Sequence, residues 1–379
     1  MRASVHAAMA AVALMLLFTG MMFPGSIAIA QSDGTVPAEA FDKSAVSEFW
    51  REIRRGEVGR VSIPNAQAGQ LIQSEGDNWR VWRNGTVSRW GGWGLFGIVA
   101  LLALFFLARG QIKVERGLSG QTVERFKPIE RFSHWLLAVS FIILALTGLN
   151  TLYGRYALKP VIGADAFGAI TFAGKWLHNY VAFGFMIALV LVLALWLVHN
   201  FPSRHDIVWL LKGGGMFSRS HPPAKKFNAG QKIVFWLVIL AGVSVSLSGI
   251  ALLFPFQTAL FAKTFAFLNL FGANLPSDLS PLAEMQLAQL WHTIVALFLI
   301  VVIIAHIYIG TIGMEGAFEA MSTGQVDLNW AEEHHSLWVD ELREKGVIEQ
   351  RRREAAAASE ASDGEHPSGS HGPRPAPAE

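Results

Sequence analysis

The chain has 379 residues, of which 52% are hydrophobic and only 16% charged, and its mean hydropathy of +0.36 excludes an ordinary soluble protein. The formal net charge of +2 says little about partners, because in a membrane protein the sharing of Lys and Arg between the two sides matters more than their sum. With no cysteine, the chain can hold no disulfide, Cys-ligated iron-sulfur cluster or covalent c-type haem, which leaves histidine as the obvious ligand for any redox metal.

Arg2 precedes an apolar run from Ala7 to Met22, and Ala28-Ile29-Ala30 offers a small-x-small cleavage site before Gln31, so residues 1–30 read as a signal peptide. An uncleaved first membrane helix is the competing reading; both place the polar region 31–91 in the periplasm. Within it, Arg83-Asn84-Gly85 and Trp90-Gly91-Gly92-Trp93 predict turns before the membrane. Five apolar segments follow, at 92–108, Phe132–Leu152, Trp176–Val198, Ile233–Phe254 and Leu287–Ile312, each close to the length of a spanning helix. Residues 109–131 hold Arg109, Lys113, Arg116, Arg125, Lys127 and Arg131, and residues 199–232 hold Arg204, Lys212, Arg219, Lys225, Lys226 and Lys232. The alternate connections hold only Arg155, Lys159, Lys175 and Lys263, so the basic excess falls on the cytoplasmic side that the signal peptide predicts. Trp330 to Lys345 predicts an amphipathic surface helix on that side, and residues 347–379 a disordered cytoplasmic tail.

Five of the twelve histidines lie in or at the ends of the apolar segments: His134, His178, His199, His292 and His306. A lone histidine there is ordinarily a hydrogen-bonded helix contact; the joint placement carries the chemistry. His292 and His306 share the fifth helix, about 21 Å apart along it and about 40° out of phase. One helix thus offers ligands at two depths. His178 begins the third helix from outside and His134 the second from inside, which pairs His178 with His292 and His134 with His306. Facing imidazoles in a bundle suit the iron of a b-type haem. Gly148, Gly184, Gly242 and Gly249 would admit a porphyrin close to the backbone or serve plain helix packing; both readings stay open. His199, beside Asn200-Phe201-Pro202, rivals the inner ligands in depth, but its place at a helix end suits an interfacial or haem-propionate contact. The cytoplasmic Phe227-Asn228-Ala229-Gly230-Gln231-Lys232 offers amides that suit a quinone carbonyl and is equally an ordinary turn before a helix. His221-Pro222-Pro223 reads as loop.

Glu130-Arg131-Phe132-Ser133-His134-Trp135, Leu177-His178-Asn179, Val198-His199-Asn200-Phe201-Pro202, the Phe227 to Lys232 stretch, Trp291-His292, Ala305-His306-Ile307-Tyr308 and Trp330-Ala331-Glu332-Glu333-His334-His335 occur in this order. Together they resemble the cytochrome b (gamma) subunit of respiratory membrane-bound formate dehydrogenases, in its long N-terminal form. The resemblance implies an all-α integral membrane fold, with a four-helix di-haem cytochrome b core within residues 125–340 and one extra N-terminal transmembrane helix at 92–108. It implies two haem b groups on His134, His178, His292 and His306, and a quinone site (menaquinone or ubiquinone) at Asn228, Gln231 and His306. Further, it implies an iron-sulfur beta subunit and a molybdenum- or tungsten-containing catalytic alpha subunit as partners, formate being oxidised on the latter, and a place in the bacterial inner membrane. The rival of the same class is the cytochrome b subunit of a membrane nickel-iron hydrogenase or of another quinone-linked oxidoreductase. A rival of another class, a transporter or sensor with histidines along a proton or metal path, should carry charges within its helices; the fourth carries none between Ile233 and Phe254.

Overall fold

A chain segment crossing lipid must satisfy its own backbone hydrogen bonds, so long apolar runs become helices. The computed structural model describes residues 74–215, 221–254, 257–350 and 353, and these contain five helices long and apolar enough to cross a membrane. They are α1 (Ser88–Arg109), α2 (Pro128–Ala157), α3 (Ala164–Trp196), α4 (Ala229–Leu253) and α5 (Pro281–Tyr308). The expected signal peptide and most of the expected periplasmic region and tail lie outside the described residues; where the tail is described, the expectation of disorder from residue 347 is corrected, because residues 347–350 are helical and Ile348 is buried.

All five begin before the apolar segments read from the sequence, by four to twelve residues, since a helix can extend past the lipid boundary until a cap or a proline stops it. The largest correction concerns α1. Arg83-Asn84-Gly85 and Trp90 to Trp93 do not turn: Ser74–Val81 is helical, Trp82–Val87 is a π turn, and the helix runs unbroken from Asn78 to Arg109. The glycine pair is there for contact. A Cβ on Gly91 would lie 2.5 Å from Leu297 Cδ1 and 3.0 Å from the Tyr153 hydroxyl, which itself donates to the Ser88 carbonyl at 2.7 Å. None of the apolar window of α1 is buried against protein, whereas a third of that of α3 is.

The described chain forms two compact units. The first comprises the described residues up to Ile98 with Leu136–Ile187 and Ala241–Val301. In it, Phe141 packs on Phe185 with ring centres 6.2 Å apart, and Trp291 donates to Ser244 Oγ at 2.8 Å. The short helix Leu260–Asn269 is capped by the buried Glu284, which accepts from the N–H groups of Phe261 and Ala262.

The second unit comprises Val99–Trp135, Ala188–Leu240 and the described residues from Val302 onward. A two-stranded antiparallel ladder, β1 (Thr122–Glu124) and β2 (Gln325–Asp327), pairs Val123 with Val326. It joins the approach to α2 to the segment after α5. Gly324, at φ 86°, makes this join possible, because a Cβ there would lie 2.5 Å from the Phe126 carbonyl oxygen. Arg131 then donates to the carbonyls of Ser322 and Thr323, and Trp135 Nε1 to that of Met321. The single amphipathic helix expected over 330–345 is two helices, α6 (Leu328–His334) and α7 (Ser336–Glu344), broken at His335. Nor is it simply a surface element: Trp330, Ala331, Glu333, His334, His335, Trp338 and Val339 are buried.

Candidate functional site

Within the first unit, α3 presents His178 and α5 presents His292, their ring centres 6.2 Å apart with 60° between the planes. Each ring is held from behind by a hydroxyl. Thr147 Oγ1 lies 2.8 Å from His178 Nδ1 and 2.7 Å from the Ile143 carbonyl; its one proton goes to the carbonyl, so it accepts from the imidazole N–H. Ser248 Oγ lies 3.1 Å from His292 Nδ1, which is also 3.1 Å from the Val245 carbonyl. Both arrangements hold the proton on Nδ1 and turn the Nε2 lone pair away from the supporting helix. A glycine follows each hydroxyl residue. A Cβ on Gly148 would meet His178 Cε1 at 3.7 Å, and one on Gly249 would meet His292 Cε1 at 3.4 Å. Sequence reasoning singled out the glycines and missed the hydroxyls, although Leu146-Thr147-Gly148 and Leu247-Ser248-Gly249 repeat one pattern in two apolar helices. By contrast, a Cβ on Gly184 would meet nothing within 4 Å.

Within the second unit, His134 of α2 and His306 of α5 stand with ring centres again 6.2 Å apart and planes at 61°. Their surroundings differ. His134 Nδ1 is buried without a hydrogen-bond partner among the described residues, and its ring lies 6.4 Å from Trp196. Trp196 packs with Phe126 and Phe227 in an aromatic trio with centres 5.4 to 5.7 Å apart, and its indole N–H donates to Glu130 Oε1 at 2.9 Å. Lys226 donates to the same oxygen at 2.7 Å, and Glu130 Oε2 accepts the Lys127 N–H just before α2. A π turn, Ile309–Gly313, continues α5 three residues after His306, a local irregularity common beside functional sites. His199 does not join this pair; its ring neighbour is Phe227, 6.4 Å away.

Asn228 and Gln231 sit at the start of α4 and cap it reciprocally: the Gln231 N–H donates to Asn228 Oδ1 at 3.0 Å and the Asn228 N–H to Gln231 Oε1 at 3.1 Å. Their oxygens are thereby committed, and any ligand they serve meets their amide NH2 groups. Arg125 reaches the same cap, donating to Gln231 Oε1 at 3.3 Å and to the Lys226 carbonyl at 2.8 Å. Its guanidinium lies over Trp330, 5.0 Å from the ring centre, and burial pushes its pKa down to about 9. His335 is fully buried and donates from Nδ1 to the Lys225 carbonyl at 2.7 Å; burial, then the positive Arg125, hold it neutral far below its ordinary range. His334, 5.0 Å ring to ring from His221, is lowered to about 3 by burial, then by His221 and Arg125. The buried role of His334 and His335 was not legible in a stretch that reads as a surface helix.

Two imidazoles that share one metal ion, each ring about 1.1 Å in radius and each bond about 2 Å long, have centres a little over 6 Å apart. Both pairs meet that spacing. Each supplies two nitrogens only, and among the described residues no group of three or more His, Cys, Asp or Glu gathers to hold a metal alone. A cofactor with its own in-plane ligands, as a porphyrin has, completes such a site, so the residues present fit haem.

Fold and sites together define a multi-pass helical membrane protein with facing histidine pairs suited to bis-imidazole ligation. The chain belongs to the prokaryotic cytochrome b561 family, whose sequence profile matches residues 125–324. Membership implies haem b. Among curated proteins, it is 28% identical over 224 residues to the cytochrome b556(fdo) subunit of formate dehydrogenase from Escherichia coli (strain K12), covering 59% of this chain and 94% of that one. The cytochrome b556(Fdn) subunit of the nitrate-inducible formate dehydrogenase of the same strain is 26% identical over 224 residues, covering 58% and 91%. A formate dehydrogenase cytochrome b556 subunit from Haemophilus influenzae is 25% identical over 226 residues, covering 57% and 82%. The resemblance read from the ordered motifs agrees with these relatives.

Proposed function

We propose that this chain is the membrane-anchoring cytochrome b subunit of a formate dehydrogenase and carries electrons to a quinone. The observation that supports this most is the pair of histidine pairs, alike in their 6.2 Å spacing and drawn from different helices, in a chain related to formate dehydrogenase cytochrome b subunits. His178 and His292 would hold one haem b, His134 and His306 a second, within a four-helix core formed by α2 to α5 with α1 as the extra helix. When bound, the haems supply one-electron carriage across the bilayer. The chain's own residues fix the ligand rings, exclude water with apolar helix faces and present polar groups to the quinone.

In this reading the region before α1 is periplasmic and the C-terminus cytoplasmic, as the basic connections argue. An iron-sulfur subunit delivers electrons at the His178/His292 pair, and a molybdenum- or tungsten-containing subunit oxidises formate. The quinone is reduced on the cytoplasmic side, where Asn228 and Gln231 donate from their amide NH2 groups to its carbonyl beside His306. Drawing its protons from that side would make charge separation part of the reaction.

The test is purification of the complex containing this chain. Formate should reduce a b-type absorbance band, and added quinone should reoxidise it. Co-purification with a nickel-iron hydrogenase, with reduction by hydrogen and none by formate, would overturn the assignment of substrate.

A further inference from the structure

The two histidine pairs match in spacing and differ behind the rings. In the first unit, both Nδ1–H groups are hydrogen-bonded: His178 to Thr147 Oγ1 at 2.8 Å, His292 to Ser248 Oγ and the Val245 carbonyl, each at 3.1 Å. In the second, His134 Nδ1 is buried without such a partner among the described residues. An acceptor on Nδ1–H draws the proton outward and leaves the imidazole more electron-rich, hence a better donor to iron. A stronger donor stabilises the ferric over the ferrous state and lowers the reduction potential; second-shell hydrogen bonding is one of the means by which proteins tune haem.

We infer that Thr147 and Ser248 are positioning residues that set the His178/His292 haem at a lower reduction potential than the His134/His306 haem, so that electron flow runs downhill from the first pair to the second. This rests on the reading that each pair holds one haem. Both hydroxyls are anchored by donating to their own helix, Thr147 to the Ile143 carbonyl and Ser248 to that of Val245, so each presents a fixed lone pair to its histidine. Lys175 lies near enough to act on both His178 and His292, and its charge opposes the effect. Substitutions that remove only a hydroxyl leave that charge in place and isolate the hydrogen bonds.

The experiment is a redox titration of the b-type bands in the purified complex, for the parent and for Thr147→Val, Thr147→Ser and Ser248→Ala. Two one-electron steps are expected in the parent. Thr147→Val should shift the ferric/ferrous equilibrium of the lower-potential step about tenfold toward ferrous, an upward move of about 59 mV, and leave the higher step in place. Thr147→Ser should restore the parent value, and Ser248→Ala should move the same step upward as well; a backbone carbonyl remains beside each ring, Leu144 for His178 and Val245 for His292, so both variants read the loss of the hydroxyl alone. If Thr147→Val failed to assemble, Ser248→Ala would decide alone. Both steps present with neither moved in the variants, or the higher step moved instead, overturns the inference while leaving the haem assignment intact. No b-type bands in the parent overturns the assignment itself.

Discussion

In the first unit hydroxyl and carbonyl acceptors hold the histidine rings directly; in the second His134 lies against an aromatic trio that an ion pair anchors in turn. Around His178 and His292 stand two hydroxyls, a backbone carbonyl and two glycines. Around His134 and His306 stand the Glu130–Lys226 ion pair, the Phe126, Trp196 and Phe227 trio, and a two-stranded ladder that ties the start of α2 to the segment after α5. The same ligand spacing is therefore reached by two routes. Neutral support deep in an apolar helix avoids the cost of charge burial, whereas a helix start can use ion pairs because water and backbone caps lie within reach.

The largest effect that should separate the two units comes from Glu130→Ala. It removes one carboxylate that serves Trp196 Nε1, Lys226 and the Lys127 N–H together, and leaves a part-buried lysine unpaired. We expect a loss of about 3 kcal/mol in stability, read as a lower thermal midpoint in detergent, with the absorbance of the His134/His306 haem perturbed and that of the other unchanged. Equal perturbation of both haems would break the comparison.

Acid should weaken the second unit next. His334 is lowered from 6.5 to about 3 and His335 also lies well below its ordinary value, so the unfolded chain takes up protons there that the folded chain refuses. Stability from this source is fully present above pH 6.5 and is lost as the pH falls from 6.5 toward 3, at up to about 1.4 kcal/mol per pH unit for each histidine. Hydrogen exchange of α6 and α7 across that range should show the loss, and the His334→Gln variant should flatten it. The smallest effect belongs to the exposed Arg116, paired with the half-buried Glu332: Arg116→Ala should change stability by less than about 1 kcal/mol and alter neither haem.

Which histidines come near one another was legible because a membrane helix fixes both phase and depth. Helical phase and depth pair His178 with His292 and His134 with His306 and set His199 apart at a helix end; in the structure the rings of each pair lie 6.2 Å apart, and His199 lies against Phe227. What escaped was contact that pattern does not encode. Gly91 and Gly92 look like a turn and are a notch for Leu297 and Tyr153, because glycine marks close approach as readily as chain reversal. Trp330 to Lys345 has the periodicity of a surface helix, but the break at His335 and the charge of Arg125 against Trp330 turn much of it inward. Asn228 and Gln231 read from the sequence either as amides for a quinone carbonyl or as a turn before a helix, and the structure shows them capping α4, a contact that spacing alone does not reveal.

The central claim is that each histidine pair holds one haem. Haem content and the reduced-minus-oxidised spectrum of the purified chain, taken with His292→Ala and His306→Ala, test it most directly. The account predicts two b-type haems per chain in the parent and the loss of one, a different one, in each variant. A full complement in both variants, or no b-type signal in the parent, would contradict it.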